Sequence, residues 1–205
     1  MFADSIAFLD WLGIVVFAVT GALVASRHQM DVIGFMMLGT VTGIGGGTLR
    51  DLLLGIHPIL WIEQPLYIAV CVVVSVAAFF TAHLAQSRER LILWLDAGGL
   101  ALFAATGAER ALSVGAHPIV AVVMGIISAC FGGIIRDTLS HQRSIIFSRE
   151  IYVSAALASA TIFVAAEKLA VASEYGLSAA IVVGFLIRGG ALRFGWSLPR
   201  YRPRP

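Results

Sequence analysis

Two short stretches of this chain combine residues that an apolar segment rarely holds together. The first is Gly43-Ile44-Gly45-Gly46-Gly47-Thr48-Leu49-Arg50-Asp51, and the second is Phe131-Gly132-Gly133-Ile134-Ile135-Arg136-Asp137. Each lies in a long apolar run, and each sets glycines just ahead of an Arg-Asp pair. Glycine weakens a helix by about 1 kcal/mol per residue relative to alanine. In hydrocarbon, a backbone group freed in this way must find a partner or face a water-lined cavity. The helices are therefore expected to bend or unwind near Gly45–Gly47 and near Gly132-Gly133. Carbonyls exposed there could coordinate a dehydrated cation. Close helix packing through small residues is the competing use. The recurrence of glycines in register with Arg-Asp favours a pathway.

The charges point the same way. Arg50 and Arg136 stay charged at any accessible pH, and charge at depth is costly and usually functional. Neighbouring helical residues point about 100° apart, so Arg50–Asp51 is not expected to pair well face to face. Asp10 and Asp96 start the preceding apolar runs and offer better partners. The expectation is two related pairs, Asp10–Arg50 at one mouth and Asp96–Arg136 at the other. Asp51 and Asp137 would then supply a negative field. A paired Arg is close to neutral and could act as a gate post. Equal numbers of Arg and Asp leave cation and anion pathways both open. Thr42 and Ser128, one turn ahead of the glycines, are candidate lining residues. Other buried hydroxyls are expected to bond their own backbone.

These residues sit in a chain of 205 residues that is 59% hydrophobic and only 13% charged, with a mean hydropathy of +0.92. Soluble domains carry roughly 25% charged residues. The deficit implies a polytopic membrane protein. Runs of about 20 apolar residues, enough to cross a bilayer, fall at roughly 5–26, 32–55, 65–86, 92–111, 117–140, 150–167 and 175–195. Arg188 and Arg193 interrupt the last and make it the weakest. Cys71 and Cys130 lie in apolar runs and read as inert core thiols. No metal-ligand spacing, nucleophile triad or phosphate loop is present. The chain is not expected to be an enzyme, to carry a cofactor or fixed metal, or to bind nucleic acid. The N-terminus has no basic region ahead of its apolar run and is not expected to be a cleaved signal.

The two stretches belong to an internal repeat. Asp10 matches Asp96, Phe17-Ala18 matches Phe103-Ala104, and Thr20-Gly21-Ala22 matches Thr106-Gly107-Ala108. Gly39, Gly46-Gly47 and Arg50-Asp51 match Gly125, Gly132-Gly133 and Arg136-Asp137 at the same offset of 86. Thr42 and Ser128 are partners too. Three spans per copy force the second to enter from the opposite side. The expected fold is an all-α integral membrane domain over 1–205. It has seven transmembrane helices: two inverted three-helix repeats (about 5–86 and 92–170), a seventh helix at 175–195 and a basic tail at 196–205. Inverted repeats typify transport proteins, with the pathway at the repeat interface. Basic residues set the orientation. Arg27, Arg88, Arg90, Arg143, Arg149, Arg193, Arg200, Arg202 and Arg204 fall on one side, against Arg110 and Lys168 on the other. The tail is expected in the cytoplasm and the N-terminus outside the cell (inner) membrane, with Trp196 and Tyr201 as interfacial anchors.

GxGGGxxRD in the second helix and FGGxxRD in the fifth, within this repeat, resemble the prokaryotic branch of the trimeric intracellular cation (TRIC) channel family. The resemblance covers essentially the whole chain. It implies a homotrimer in membrane lipid, each subunit holding its own pore for K⁺ and also Na⁺. It further implies that helices two and five are kinked at their glycines and that the pore runs between the repeats. The matching positions are Gly45, Gly46, Gly47, Arg50, Asp51, Gly132, Gly133, Arg136 and Asp137, with Gly43 opening the first motif. The lipid and calcium control of animal members is not carried over, because their basic residues are replaced by Arg-Asp here. Some similar bacterial sequences are associated with glycine uptake, so a small-solute carrier is the alternative.

Overall fold

The computed structural model describes residues 2–84, 87–142 and 151–199. These residues form eight α-helices: α1 (Phe2–Arg27), α2 (Val32–Leu54), α3 (Leu60–Glu63), α4 (Leu66–Thr81), α5 (Arg88–Ser113), α6 (Pro118–Leu139), α7 (Val153–Lys168) and α8 (Ser173–Phe194). A 3₁₀ turn, Ala82–Leu84, extends α4. Six helical stretches are long and apolar enough to cross a membrane: Asp4–Arg27, Val32–Leu54, Leu66–Leu84, Arg88–Ser113, Pro118–Leu139 and Ser173–Phe194. The sixth expected span, 150–167, is instead the 16-residue helix α7. At 1.5 Å per residue it reaches about 24 Å, short of a hydrocarbon core of about 30 Å. The interrupted run at 175–195 does form a full helix, α8. Of the basic residues expected to set orientation, Arg143, Arg149, Arg200, Arg202 and Arg204 lie outside the described residues, as does Tyr201.

Local chemistry sets the helix ends. The Asp31 carboxylate accepts from the Gly34 N–H at 2.8 Å and caps the start of α2. Gly55, at φ 69°, closes that helix in the left-handed conformation, which glycine adopts without steric cost. Pro118 opens α6 at a position where its missing N–H has no intrahelical acceptor to lose, and the His117 side chain accepts from Ile119.

Helix α5 is the axis of the molecule. It packs on α1, α6, α7 and α8, and every residue from Gly99 to Ala108 is buried. That run is mostly Gly, Ala and Leu, which lets neighbouring backbones approach closely. Its outer counterparts are apolar on the outside instead: Ile33, Met37, Val73, Phe80, Val182 and Leu186 are exposed, as lipid contact requires.

The same pairings recur in the two halves. Helix α1 packs on α2 and α4, and α2 on α4; α5 packs on α6 and α7, and α6 on α7. Contacts α1–α5 and α2–α6 join the halves. Residues 86 apart play matched parts at the first of these. Phe17 and Phe103 stack with ring centroids 5.3 Å apart. A Cβ added at Gly99 would meet the Phe17 ring at 3.1 Å, and one at Gly13 would meet the Phe103 ring at 2.8 Å.

Candidate functional site

The glycines of the two motifs meet at the crossing of α2 and α6. A Cβ added at Gly46 would collide with the Ser128 carbonyl, and one at Gly132 with the Thr42 carbonyl. Each glycine therefore seats a carbonyl of the opposite helix, and the four residues exchange roles under the offset of 86. The neighbouring glycines differ. A Cβ at Gly45 would press on Ile135 Cδ1 at 3.1 Å, and one at Gly133 on the Tyr152 hydroxyl at 3.3 Å. At Gly47 the nearest atom would be Arg50 Nη2, at 3.8 Å, which is ordinary contact. Gly43 faces Cys71 Sγ and the Ile14 carbonyl, both at 3.1 Å from such a Cβ.

Neither helix unwinds there. Both α2 and α6 run unbroken through the motifs, which corrects the expectation of freed carbonyls. Dense packing of one helix on the other holds the glycine stretches in helical form, so their intrinsic weakness is overridden. Thr42 and Ser128 are each only 1% exposed. The Thr42 hydroxyl donates to the Leu38 carbonyl at 2.6 Å, as mid-helix threonine commonly does.

Two charge clusters flank the crossing. In one, the Arg136 guanidinium reaches three partners: Asp96 Oδ1 at 2.8 Å through Nη1, Asp137 Oδ1 at 2.9 Å through Nε, and Thr20 Oγ1 at 3.2 Å through Nη1. Arg136, Asp96 and Thr20 are essentially inaccessible. In the other, Arg50 holds Asp51 Oδ1 at 2.9 Å through Nε and 2.8 Å through Nη2. Both adjacent pairs form, Arg50–Asp51 contrary to expectation. Backbone directions 100° apart are bridged because the long Arg side chain folds back along its own helix. The Asp10–Arg50 ion pair does not form; no nitrogen–oxygen contact within 4.0 Å joins them among the described residues. Instead both line one cavity of about 320 Å³, with Thr106, Glu109, Arg110 and Tyr67.

A second cavity adjoins the first motif, lined by Gly43, Gly47, Thr48, Arg50, Asp51 and the linker residues Ile59, Leu60 and Trp61. Short helix α3 closes this space. Trp61 Nε1 donates to Thr48 Oγ1 at 2.9 Å, and the Leu60 N–H approaches Asp51 Oδ2 at 3.5 Å. On the α6 side, Tyr152 is buried and Arg188 of α8 lies over its ring, with Cζ 5.2 Å from the centroid. Tyr67 stacks on Trp11 at 3.8 Å.

Reading the sequence missed five of these residues. Arg188, taken as an interruption, is fully buried in the core. Its position in the middle of an apolar helix was a usable signal, because a lone Arg at depth needs a partner. Glu109 and Arg110, given no part in the candidate site, line the cavity. Trp61 and Thr48 carried no signal, since they meet only through a linker that folds back. Among the described residues no group of three or more His, Cys, Asp or Glu could hold a metal.

Known proteins fall into line with this geometry. The family model described as "Glycine transporter" matches residues 7–83 and again 93–168, two stretches that begin 86 residues apart. A UPF0126 membrane protein of Vibrio cholerae is 37% identical, over 94% of this chain and 81% of its own. The UPF0126 inner membrane protein YadS of Escherichia coli K12 is also 37% identical, over 94% of each. The TRIC trimeric intracellular cation channel orthologue from Rhodobacter sphaeroides is 52% identical in sequence, and its crystal structure superposes with a TM-score of 0.92 over 94% of this chain and 99% of that one. A prokaryotic TRIC channel crystallised in 0.5 M KCl is 30% identical, with a TM-score of 0.88 over 97% of this chain and the whole of that one. Matched twice by one family model and superposed nearly end to end on solved relatives, the chain belongs to the prokaryotic TRIC family.

Proposed function

We propose that this protein is a passive, K⁺-permeable monovalent cation channel of the cell (inner) membrane. The observation that carries this reading is the superposition, at 52% identity and over nearly all of both chains, on a protein described as a trimeric intracellular cation channel. The pathway we assign runs inside one subunit, along α2 and α6, with the charge clusters of Arg50 and Arg136 at its two ends as gating groups. Gly46 and Gly132 bring the two helices together at its middle, and any bend at the glycines belongs within unbroken helices. The recurring helix pairings support two inverted three-helix repeats, α1-α2-α4 and α5-α6-α7, with α8 appended as a seventh span. Arg27, Arg88, Arg90 and Arg193 support a cytoplasmic C-terminus and an external N-terminus. The chain's similarity to a trimeric intracellular cation channel supports a homotrimer in membrane lipid. Na⁺ would share the pathway with K⁺.

A small-solute carrier, for instance for glycine, is the second reading. The description of the matching family model favours it, and fold alone does not separate a channel from a carrier. Recordings from purified protein in planar bilayers do. Discrete unitary K⁺ currents are expected. Saturable glycine uptake into liposomes, with no unitary currents, would replace the channel by the carrier.

A further inference from the structure

Two cavities on the Arg50 side are divided by very little protein. The space beside the first motif, lined by Gly43, Gly47 and Thr48, is about 30 Å³, room for a water or two. The wider one, about 320 Å³, lies towards Asp10 and Glu109. Arg50, Leu60 and Tyr67 line both. Two of these residues are fixed on long helices. Arg50 of α2 is 4% exposed and bonded to Asp51, and Tyr67 of α4 is 3% exposed and stacked on Trp11. Leu60 belongs to α3, a four-residue turn in which no residue is buried. A segment with so few buried contacts opens at low free-energy cost.

Besides the apolar packing of Ile59, Leu60 and Trp61, two directed contacts hold α3 to the motif. Trp61 Nε1 donates to Thr48 Oγ1 at 2.9 Å, and the Leu60 N–H approaches Asp51 Oδ2 at 3.5 Å. The Thr48 hydroxyl also donates to the Ile44 carbonyl at 2.7 Å, so it serves as donor and acceptor at once. Its counterpart 86 residues on is Ile134, which has no hydroxyl. Position 134 therefore offers no such hold at the second motif.

We propose that α3 is a gate on the Arg50 side: Leu60 separates the wide cavity from the glycine motif, and the Trp61–Thr48 hydrogen bond latches it. Releasing the latch carries Leu60 away with α3 and joins the two spaces, while α2 and α4 stay in place. The gate rests on the pathway assigned above and gives it a moving part. Thr48 and Trp61 are positioning residues, acting through Leu60.

Reagent access to the small space tests this. Gly47→Cys places a thiol there, where an added Cβ meets nothing nearer than Arg50 Nη2 at 3.8 Å. Its reaction rate with a trimethylammonium methanethiosulfonate reagent is measured in purified full-length protein. The parent protein, whose Cys71 and Cys130 are buried, gives the background. Trp61→Phe and Thr48→Val should each raise the rate about fivefold, the shift that one hydrogen bond gives an equilibrium. Combining them should add little, since both remove the same bond. Thr48→Ser, which keeps the hydroxyl, should stay slow. So should Thr138→Val, which removes a like hydroxyl-to-carbonyl bond on the exposed face of α6. A rate unchanged in both latch variants, or raised as much by Thr48→Ser as by Thr48→Val, overturns the gate. In planar bilayers the latch variants should raise the open fraction about as much, with unitary conductance unchanged. An unchanged open fraction removes the gate and leaves the channel standing. Faster labelling with no unitary currents in any sample keeps α3 as a closure and removes the channel.

Discussion

Arg136 shows what a charge needs in order to be buried at depth. It is 1% exposed and surrounded by Asp96, Asp137 and Thr20. Removing one partner of a buried ion pair leaves an uncompensated charge and costs about 3–5 kcal/mol. Asp96→Asn should therefore lower stability by about that amount in thermal or denaturant unfolding in detergent. Asp10→Asn should cost far less, because no nitrogen–oxygen contact within 4.0 Å joins Asp10 to Arg50 or Arg110 among the described residues. Equal losses in the two variants would show that the matched clusters are equivalent after all. At Trp61, replacement by Phe removes the hydrogen bond to Thr48 and should cost about 1 kcal/mol, read in the same assay. A fully additive loss in Trp61→Phe/Thr48→Val would contradict the pairing.

Helices α2 and α6 depend on particular glycines. Gly46→Ala and Gly132→Ala each drive a methyl group into a carbonyl of the facing helix. Neither backbone can yield cheaply, so a loss of about 1–3 kcal/mol is expected, with reduced K⁺ flux in liposomes. Gly47→Ala, which meets only Arg50 Nη2 at 3.8 Å, should leave both unchanged. If helix flexibility at the glycine run governed flux, Gly47→Ala would impair it as well. The contrast marks what could be read from the chain alone. The offset of 86 pointed to the Asp96–Arg136 pair and to the partnership of Thr42 with Ser128, because charge and hydroxyl positions repeat in register. It could not say that the glycines seat carbonyls, since the expectation of unwinding considered one helix without its neighbour. It also ruled out Arg50–Asp51 by backbone direction, where side-chain length decides. Trp61 was illegible, because its contact depends on how the linker from Gly55 to Pro65 folds back.

The whole molecule is arranged around α5, with the two halves pressed together along α1–α5 and α2–α6. The matched halves are not in matched states: one charge cluster is packed shut and the other opens on a cavity. On the pathway proposed above, that asymmetry would close one end and leave the other open to the cavity. Assembly enters here as well. Light scattering of detergent-purified protein should give the mass of three chains, and a monomer fully active in bilayers would remove the trimer from the account. The most direct measurement is the reversal potential of single-channel currents from purified protein in a planar bilayer under a KCl gradient. We expect discrete openings that reverse close to the K⁺ equilibrium potential. Openings that reverse at the Cl⁻ potential, or no openings beside saturable glycine uptake, would contradict a cation channel.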